Sequence, residues 1–301
     1  MAKTREIRKR IGSVRNIHKI THTMERVAQS KGMKLSGRYG HARSLRADLL
    51  RLLPEALGAA PGSVEAHQEV AALPLGAERV QVKRVLLFCV TSNRGLCGGY
   101  NAKVIQAVNG RMAELAAEGR EPLLAVMGRK GLAYFRYHGQ PVAVPLADFD
   151  ENVPFPRLDE AVQKILDMYT AKEIDGAEVI STRALTRARH LVRRETWLPF
   201  RTIEAPGPEE GPDGTPLYLV EPDHAAVLGA LVPLLLKAEM FCVVLEAMVC
   251  EQSQRSIAMR SASDNADAMT KRLTRTYNRA RQAQITNEMI EIISGSEGGR
   301  S

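Results

Sequence analysis

The feature that most constrains this fold is a long stretch near the carboxyl terminus that contains no helix-breaking residue. Pro233 is the last proline of the chain, and no glycine occurs between Leu234 and Ser294. At the α-helical rise, about 60 residues make a rod of roughly 90 Å, whereas a usual helix has about 11–12 residues. A helix of that length cannot be buried within its own small domain, so it needs a second helix beside it.

Residues of this stretch also recur at alternating spacings of three and four, which is the seam spacing of a left-handed coiled coil. The seam residues are Leu235, Ala238, Cys242, Leu245, Val249, Gln252, Ser256, Met259, Ser263, Ala266, Thr270, Leu273, Tyr277, Ala280 and Gln284. The seam is apolar at its start and small and polar in its middle, so a surrounding sleeve of protein would have to support it. Gly295 is the predicted helix stop.

A second long helix is predicted from Thr4 to about Leu53, with Pro54 as its end. Its apolar residues recur every three or four positions between basic ones, and they are Ile7, Ile11, Val14, Ile17, Ile20, Met24 and Val27. This helix is the natural antiparallel partner of the carboxyl-terminal rod, because neither seam is otherwise covered.

The residues between the two helices change to an alternation of short apolar strands and amphipathic helices, which predicts a parallel α/β sheet. The predicted strands are 80–90, 122–128, 141–146, 177–182 and 217–220, and 57–76 is read as a looser stretch. The predicted fold class is therefore α/β, with a long antiparallel coiled coil of the two terminal helices and a small Rossmann-like parallel-sheet domain between them. The predicted domains are 1–56, 57–222 and 223–301.

Charge is concentrated at the amino terminus, where residues 1–51 hold fourteen Lys and Arg against three Asp and Glu. Residues 271–281 add five basic side chains and no acidic one. Such clusters imply acidic partner surfaces. No apolar run is expected to span a membrane, and the charged start is not expected to be a secretory signal.

A glycine-rich loop follows the first predicted strand and could cradle a phosphate, namely Thr91-Ser92-Asn93-Arg94-Gly95-Leu96-Cys97-Gly98-Gly99-Tyr100-Asn101. It matches neither common nucleotide-binding glycine pattern, so a tight structural crossover is the favoured interpretation. A nucleotide-binding α/β protein with coiled-coil arms stays open as an alternative.

Three further features could indicate a functional site, but each has a simpler interpretation. His18 and His22 stand four residues apart, a spacing that can bind a metal, but no third ligand lies nearby in the sequence. Cys97 could be reactive at a helix start, although a small buried residue is the simpler reading. The basic helix could contact nucleic acid, so a basic coiled-coil scaffold is the second alternative, but the helix lacks interleaved aromatic residues. We expect no metal, no cofactor and no nucleic acid.

Three segments of the chain together carry a family resemblance. The first is 7–16 with 19–21 and 24–28, the second is the loop 91–101, and the third is 264–266 with 276–283 and 285–288. All three resemble segments of the gamma subunit of F-type ATP synthases. These segments are long and lie at the start, middle and end of the chain, so the resemblance covers essentially all of it.

The resemblance implies a central stalk whose coiled coil fills the cavity of an alpha-three-beta-three head, and whose α/β domain sits with the epsilon subunit on the membrane-embedded c-ring. Ion flow would turn the ring and this rotor together, and the asymmetric coil would change the affinity of each beta site in turn. The resemblance implies no catalytic residue in this chain. It also implies a place at the cytoplasmic face of a bacterial inner membrane, peripheral to it.

The resemblance also implies particular contact residues. Those expected to contact beta or to support the coil are Met24, Arg26, Arg255, Arg281, Gln282, Thr286 and Glu288. Tyr218 and Glu221 are expected to form the foot that meets the ring. Arg26 stands where the family usually has a methionine.

Overall fold

The fold is described from a computed structural model, which describes residues 2–58, 63–147, 149, 155–186, 189–201 and 220–298. In chain order the elements are α1 Ala2–Leu57, α2 Val64–Ala72, β1 Arg84–Val90, α3 Tyr100–Ala117, β2 Glu121–Met127, α4 Arg129–Tyr137, β3 Val142–Leu146, α5 Phe155–Thr170, β4 Gly176–Ala184, β5 His190–Leu198 and α6 His224–Gly298. The contacts divide the chain into unit 1, Met1–Gln29 with Arg255–Ser301, and unit 2, Ser30–Gln254.

Unit 2 contains a five-stranded sheet in the order β3-β2-β1-β4-β5. The first four strands of that order are parallel to one another, and β5 pairs antiparallel with β4. The parallel-dominated α/β domain predicted from the sequence is confirmed. The sheet order also confirms the Rossmann-like character of its first four strands.

Strand β1 shows why the sheet is buried on both faces. Its residues alternate between two apolar clusters, as the two-residue period of a strand requires. Val85, Leu87 and Cys89 pack with residues of α3 and α4. Leu86 and Phe88, with Val90, pack on the opposite side with residues of α1, α2, α5 and α6. The continuous apolar run of β1 therefore reflects a central parallel strand.

The two terminal helices pack against each other in antiparallel fashion, as predicted. In unit 2, Arg46 Nη2 of α1 lies 3.2 Å from Glu239 Oε1 of α6, and the His224 ring contacts the Ala56 carbonyl oxygen at 3.1 Å. In unit 1, Thr4 Oγ1 donates a hydrogen bond of 2.8 Å to Gln284 Oε1.

Several predicted element ends are wrong. Helix α1 continues through Pro54 to Leu57, because Leu53, Ala56 and Leu57 are buried in the core and that burial outweighs the one lost backbone donor. Gly58 then adopts a φ of +61° at the true end. Helix α6 passes Gly295 and ends at Gly298, since a helical glycine costs only about 1 kcal/mol.

Two elements were missed by the sequence reading. Helix α2 lies inside the stretch read as loose, and its start is capped by Ser63 Oγ, which accepts the Ala66 N–H at 3.1 Å. Strand β5 was not predicted because charged residues interrupt its apolar pattern, as is common for an edge strand. Strand β1 begins at Arg84, and the preceding Val80 is fully exposed. The predicted strand 217–220 lies almost wholly outside the described residues.

Helix α6 is long and apolar enough, by composition, to cross a membrane, which the sequence reading had excluded. Of the most apolar window of that helix, 56% is buried inside the protein. The core helix of a folded domain passes the same compositional test. The apolar character of this part of α6 is thus explained by packing in unit 2, where Leu235, Leu236 and Met240 are all buried.

Candidate functional site

The seam predicted for α6 is present in unit 1. Met259 and Ser263 are each 4% exposed and Ala266 is 7% exposed. The later seam positions are half-buried, namely Thr270, Leu273, Tyr277, Ala280 and Gln284. The predicted spacing of three and four is therefore the spacing of the buried face.

The stripe predicted for α1 is only partly correct. Ile11 and Val14 are buried, but Ile17, Ile20 and Val27 are 51%, 59% and 48% exposed. Beyond Val14, Met24 of the predicted stripe is half-buried, and the other buried or half-buried positions up to Ala28 are His18, Thr21, Glu25 and Ala28 itself. The heptad seam thus passes through small and polar residues, and the large apolar residues form a separate ridge one position away.

This outward ridge of Ile17, Ile20 and Val27 is the surface that the sequence reading missed. Helix α6 also exposes large apolar side chains in unit 1, and these are Ile257, Met269, Ile285, Met289 and Ile290, each 48–57% exposed. On α1 the exposed apolar residues follow one helix face, with basic residues between them, a pattern that is typical of protein interaction surfaces. The signal was available in the sequence, because a second apolar phase runs beside the heptad phase.

The contact residues implied by the resemblance have different environments. Arg26 and Arg281 are exposed, and neither forms an ion pair with a carboxylate among the described side chains. Gln282 is exposed, and its carbonyl oxygen accepts the Thr286 hydroxyl at 3.0 Å. Met24 is half-buried. The basic residues are thus available to an acidic partner.

Two members of the set lie where they would support the coil. Arg255 is only 8% exposed. Glu288 Oε1 accepts Gln284 Nε2 at 2.8 Å, while Gln284 Oε1 accepts the Thr4 hydroxyl at 2.8 Å. Glu288 therefore orients the amide that joins α6 to the start of α1.

A buried hydroxyl on the seam of unit 1 has no hydrogen-bond partner among the residues that the structure describes. That hydroxyl is Ser263 Oγ, whereas the Thr21 hydroxyl donates to the Ile17 carbonyl oxygen at 3.0 Å. A buried unsatisfied polar group costs about 1–3 kcal/mol.

We expect Ser263→Ala to stabilise unit 1 by about 1 kcal/mol, because it removes that unsatisfied group and introduces a better helix former. The matched control is Thr21→Ala, which removes a bonded seam hydroxyl and should destabilise the same unit. Amide hydrogen exchange of unit 1 in the full chain measures both. Slower exchange for the Thr21 variant than for the Ser263 variant would contradict the prediction.

The two histidines considered as metal ligands stack on each other. The rings of His18 and His22 lie 6.1 Å apart at an interplanar angle of 16°, and His22 Nδ1 is 3.7 Å from Glu25 Oε2. Among the residues that the structure describes, no cluster of three His, Cys, Asp or Glu side chains is placed to hold a metal ion.

The glycine-rich loop joins β1 to α3 and also reaches the start of α4. A phosphate-binding loop offers the free N–H groups of a helix start to its ligand. At the start of α4 those groups are already used by the loop itself. Asn93 Oδ1 accepts the Arg129 N–H and the Ser92 carbonyl oxygen accepts the Lys130 N–H, each at 3.0 Å.

The next two N–H groups of α4 are used as well. Thr91 Oγ1 accepts the Gly131 N–H at 3.0 Å, and the Gly128 carbonyl oxygen accepts the Leu132 N–H at 3.1 Å. Within the loop, Asn101 Oδ1 accepts the Ser92 N–H at 2.9 Å. The loop therefore caps α4 with its own atoms, a structural role that fits the crossover interpretation, while the start of α3 at Gly99 has no side-chain cap.

The four cysteines are buried free thiols. Burial raises the pKa of Cys89 and of Cys250 to about 12, and that of Cys242 to about 11. Cys97 is 2% exposed, and its sulfur accepts Asn101 Nδ2 at 3.3 Å. This environment fits the small buried residue expected at Cys97, because a reactive thiol needs access to solvent.

Of the two residues expected to form the foot, Glu221 is among the residues that the structure describes and Tyr218 is not. Glu221 is exposed and lies three residues before α6, whose start is capped by Asp223 Oδ1 accepting the Ala226 N–H at 2.8 Å. The structure therefore places one carboxylate of the predicted foot on the surface beside the start of α6.

Comparisons with known proteins agree over the whole chain. A family described as ATP synthase matches residues 3–298. The chain is 36% identical over 296 residues to the ATP synthase gamma chain of Acidithiobacillus ferrooxidans, which covers 98% of this chain and 99% of that one. It is 32% identical over 297 residues to the gamma chain of Leptospira biflexa, with 99% of each chain covered.

Solved structures show the same fold. A chain of the Euglena gracilis mitochondrial ATP synthase, in a structure of OSCP, F1 and c-ring, has a TM-score of 0.64 at 19% identity and covers 99% of this chain and 94% of its own. A chain of the Tetrahymena thermophila mitochondrial ATP synthase central stalk and c-ring has a TM-score of 0.56 at 21% identity, covering 81% and 99%. With a matching family and relatives above 30% identity across their full length, the chain belongs to the ATP synthase gamma-chain family.

Proposed function

We propose that this chain is the central-stalk rotor of an F-type ATP synthase, the subunit that couples rotation of a membrane ring to ATP synthesis at the beta subunits. The observation that carries the proposal is the full-length match to gamma chains. The antiparallel pair of long helices with an outward apolar and basic surface is the structural counterpart of that role. The chain is non-catalytic, and catalysis belongs to the beta subunits.

The partners we propose are the alpha and beta subunits around unit 1, and the epsilon subunit and the c-ring beside the α/β domain. Two observations support the first pair. The ridge of Ile17, Ile20 and Val27 is exposed in the isolated chain, and Arg26 and Arg281 stand on the surface of the same unit. Apolar ridges flanked by unpaired basic side chains suit a partner sleeve that offers apolar contacts and carboxylates.

The proposed boundaries and setting follow from the same role. Residues 1–56 and 223–301 supply the helices of the stalk, and 57–222 supplies the α/β domain. The complex is membrane-associated, and we place this subunit peripherally at the cytoplasmic face of a bacterial inner membrane. Met24, Arg26, Arg255, Arg281, Gln282, Thr286 and Glu288 remain the proposed contacts with beta or supports of the coil.

Co-purification tests this proposal directly. The chain, carrying an affinity tag on its α/β domain, is expressed with the alpha, beta and epsilon subunits of the same organism. We expect a stoichiometric complex that hydrolyses ATP and rotates this chain when the alpha and beta subunits are fixed to a surface. Recovery of the tagged chain alone, or a complex whose ATP hydrolysis produces no rotation, would refute the proposal.

The proposed foot gives a separate prediction. Glu221→Lys should reduce ion-driven ATP synthesis by about tenfold. The polar loops of the ring that we expect at this contact include basic groups, and a lysine at position 221 would repel them. ATP hydrolysis by the head detached from the membrane should stay unchanged, since Glu221 is an exposed residue of unit 2 outside its core.

Both activities are measured on one preparation, with Glu173→Lys, at an exposed position after α5, as the matched charge reversal. Equal losses of synthesis and of head hydrolysis would show that Glu221 acts on the fold or on the head, and the proposed foot would be wrong. Equal losses of synthesis for the two variants would have the same consequence.

A further inference from the structure

Helix α6 carries a carboxylate on its most deeply buried face. Val243, Val244, Leu245 and Ala247 are all exposed by 5% or less, and Glu246 among them is 8% exposed. Burying a charge is costly unless it is paired and hydrogen-bonded, and an apolar residue of similar volume is often as stable or more stable. Stability alone therefore does not account for Glu246.

Both oxygens of Glu246 hold the carboxyl end of β4. Glu246 Oε1 accepts the backbone N–H of Ala184 at 3.2 Å, and Glu246 Oε2 lies 3.5 Å from Arg183 Nη1. Arg183 in turn pairs with Glu195 of the neighbouring strand β5. One side chain of α6 is thus tied to the last two residues of β4 and, through Arg183, to β5.

A second ion pair holds the same helix to another element. Lys237 Nζ of α6 lies 2.9 Å from Asp159 Oδ1 of α5, with side-chain exposures of 19% and 32%. Lys237 and Glu246 are nine residues apart, which is about 2.5 helical turns, so they leave α6 on opposite sides and at heights that differ by roughly 13 Å. Two directional contacts on opposite sides of a helix oppose its rotation about its own axis.

The apolar contacts of α6 define its angle less sharply than the polar ones do. The hydrophobic effect is non-directional and depends on the buried area, so the apolar side chains around Glu246, such as Val244 and Leu245, tolerate a small rotation better than a hydrogen bond does. A hydrogen bond weakens steeply with misalignment. The polar pair of Glu246 with Ala184 and Arg183 defines one angular position of α6 against the sheet.

We propose that Glu246 is a positioning residue for torque transfer, an anchor that makes the α/β sheet and helix α6 turn together. The inference rests on the proposed rotor function and names the contact inside this chain that such a rotor uses. The Glu246 carboxylate accepts from the Ala184 N–H and lies against the Arg183 guanidinium. Helix α6 itself continues beyond unit 2 to Gly298, so an angular slip at Glu246 would be carried into the rest of the helix.

The test compares two replacements of Glu246 in the complete membrane-bound complex. Glu246→Leu removes the anchor and keeps apolar packing, whereas Glu246→Gln keeps an acceptor for the Ala184 N–H. Ala184 is an exposed residue at the end of β4, so its N–H is close enough to the surface to be hydrated in the Leu variant. We measure the coupling ions pumped per ATP hydrolysed in reconstituted vesicles, the angular fluctuation of the rotor in single-molecule rotation, and the Tm of the purified chain.

Losing a hydrogen bond of this kind raises the population of shifted arrangements by roughly two- to tenfold, so Glu246→Leu should lower the pumping ratio by about twofold and widen the angular fluctuation. Its Tm should stay close to that of the wild type, because Arg183 keeps Glu195 as an ion-pair partner. Glu246→Gln should retain most of the wild-type ratio. A purely structural role predicts instead that ratio and Tm fall together, and that outcome would overturn the proposal.

A control variant tests whether the effect is specific to Glu246. Arg194→Gln breaks the exposed ion pair between Arg194 and Glu114, whose side chains are 48% and 54% exposed, respectively. This variant should leave the pumping ratio unchanged, and an equal loss there would refute a specific role for Glu246.

If the Leu variant does not fold, Glu246→Met is used, because the unbranched methionine side chain has a similar length. An unchanged ratio in a folded apolar variant also refutes the anchor. Failure of the wild-type complex to assemble and pump would refute the proposed function instead.

Discussion

Gly128→Ala is expected to destabilise the α/β domain by on the order of 4 kcal/mol, the largest stability effect we predict for a single methyl group. Gly128 has a φ of +100°, and a Cβ there would lie 2.2 Å from the Thr91 carbonyl oxygen and 2.7 Å from Thr91 Oγ1. Residues other than glycine rarely adopt that φ. The clash is with backbone, so it cannot be relieved by a rotamer change.

The expected loss is large because Thr91 is itself fixed. Its hydroxyl donates to the Met127 carbonyl oxygen at 2.7 Å and accepts the Gly131 N–H. Moving Thr91 away from a new methyl group would therefore break the bonds that cap α4. Chemical unfolding of the full chain, followed by the fluorescence of Trp197, which is buried in unit 2, measures the change.

Gly110→Ala is the matched control for the same substitution. Gly110 lies inside α3, and a Cβ there would meet nothing within 4 Å. Alanine is favoured over glycine in a helix by up to about 1 kcal/mol, so this variant should be slightly more stable than the wild type. Equal stability of the two variants would show that the close approach of Thr91 to Gly128 is not what requires glycine.

Arg26→Glu and Arg281→Glu are each expected to reduce assembly-dependent ATP hydrolysis by about tenfold in the reconstituted complex, because reversal opposes the carboxylates that we propose on beta. Both side chains are exposed in unit 1. Neither needs to break an ion pair within the described part of the chain to meet a partner. Their substitution should therefore leave the isolated chain folded.

Arg120→Glu is the control, since Arg120 lies in unit 2 and already pairs with Glu118 at 3.0 Å between half-exposed side chains. Exposed pairs of this kind contribute about 0–1 kcal/mol, so little change is expected. Hydrolysis is measured at two salt concentrations, because a lost charge contact weakens the salt dependence of assembly. Equal losses at all three positions would contradict the proposed basic contact surface.

The seam of α6 could be predicted from the sequence, whereas the seam of α1 could only partly be predicted. In α6 the predicted phase of three-and-four spacing is the face that is buried or half-buried in unit 1. In α1 two phases compete after Val14, and the apolar one is the exposed one. The partner helix decides between them, because small residues such as Ala28 allow close packing and Ile17 does not. A single helix pattern holds no information about that partner.

The sheet shows a similar division. Strands with continuous apolar runs, such as β1, were found because both of their faces are buried. Strand β5 was missed because Arg193 and Arg194 give its edge a polar pattern, although it pairs with β4 over most of its length. Its place is fixed by that pairing and by Trp197 and Leu198 in the core, which are contacts between residues distant in the sequence.

The candidate site could be described only by combining the family resemblance in the sequence with the exposure of each side chain in the structure. The contact residues of unit 1 came from resemblance, and exposure then separated Arg26 and Arg281 from the buried Arg255. The capping of α4 by the loop 91–101 could not be predicted, because it depends on which atoms meet across 36–40 residues of sequence. Glu246 is the one charged residue of the apolar run 240–250, but the sequence does not show that its partners are the last residues of β4.

The burial of all four thiols has a practical consequence for watching this protein turn. Maleimide dyes and beads couple to accessible thiolates, and the thiols of Cys89, Cys242 and Cys250 combine burial with a raised pKa. A cysteine introduced at an exposed site, such as Tyr137, which is 87% exposed on α4, would react far faster than the native ones. A rotation probe can therefore be attached at one chosen point without first removing any native cysteine.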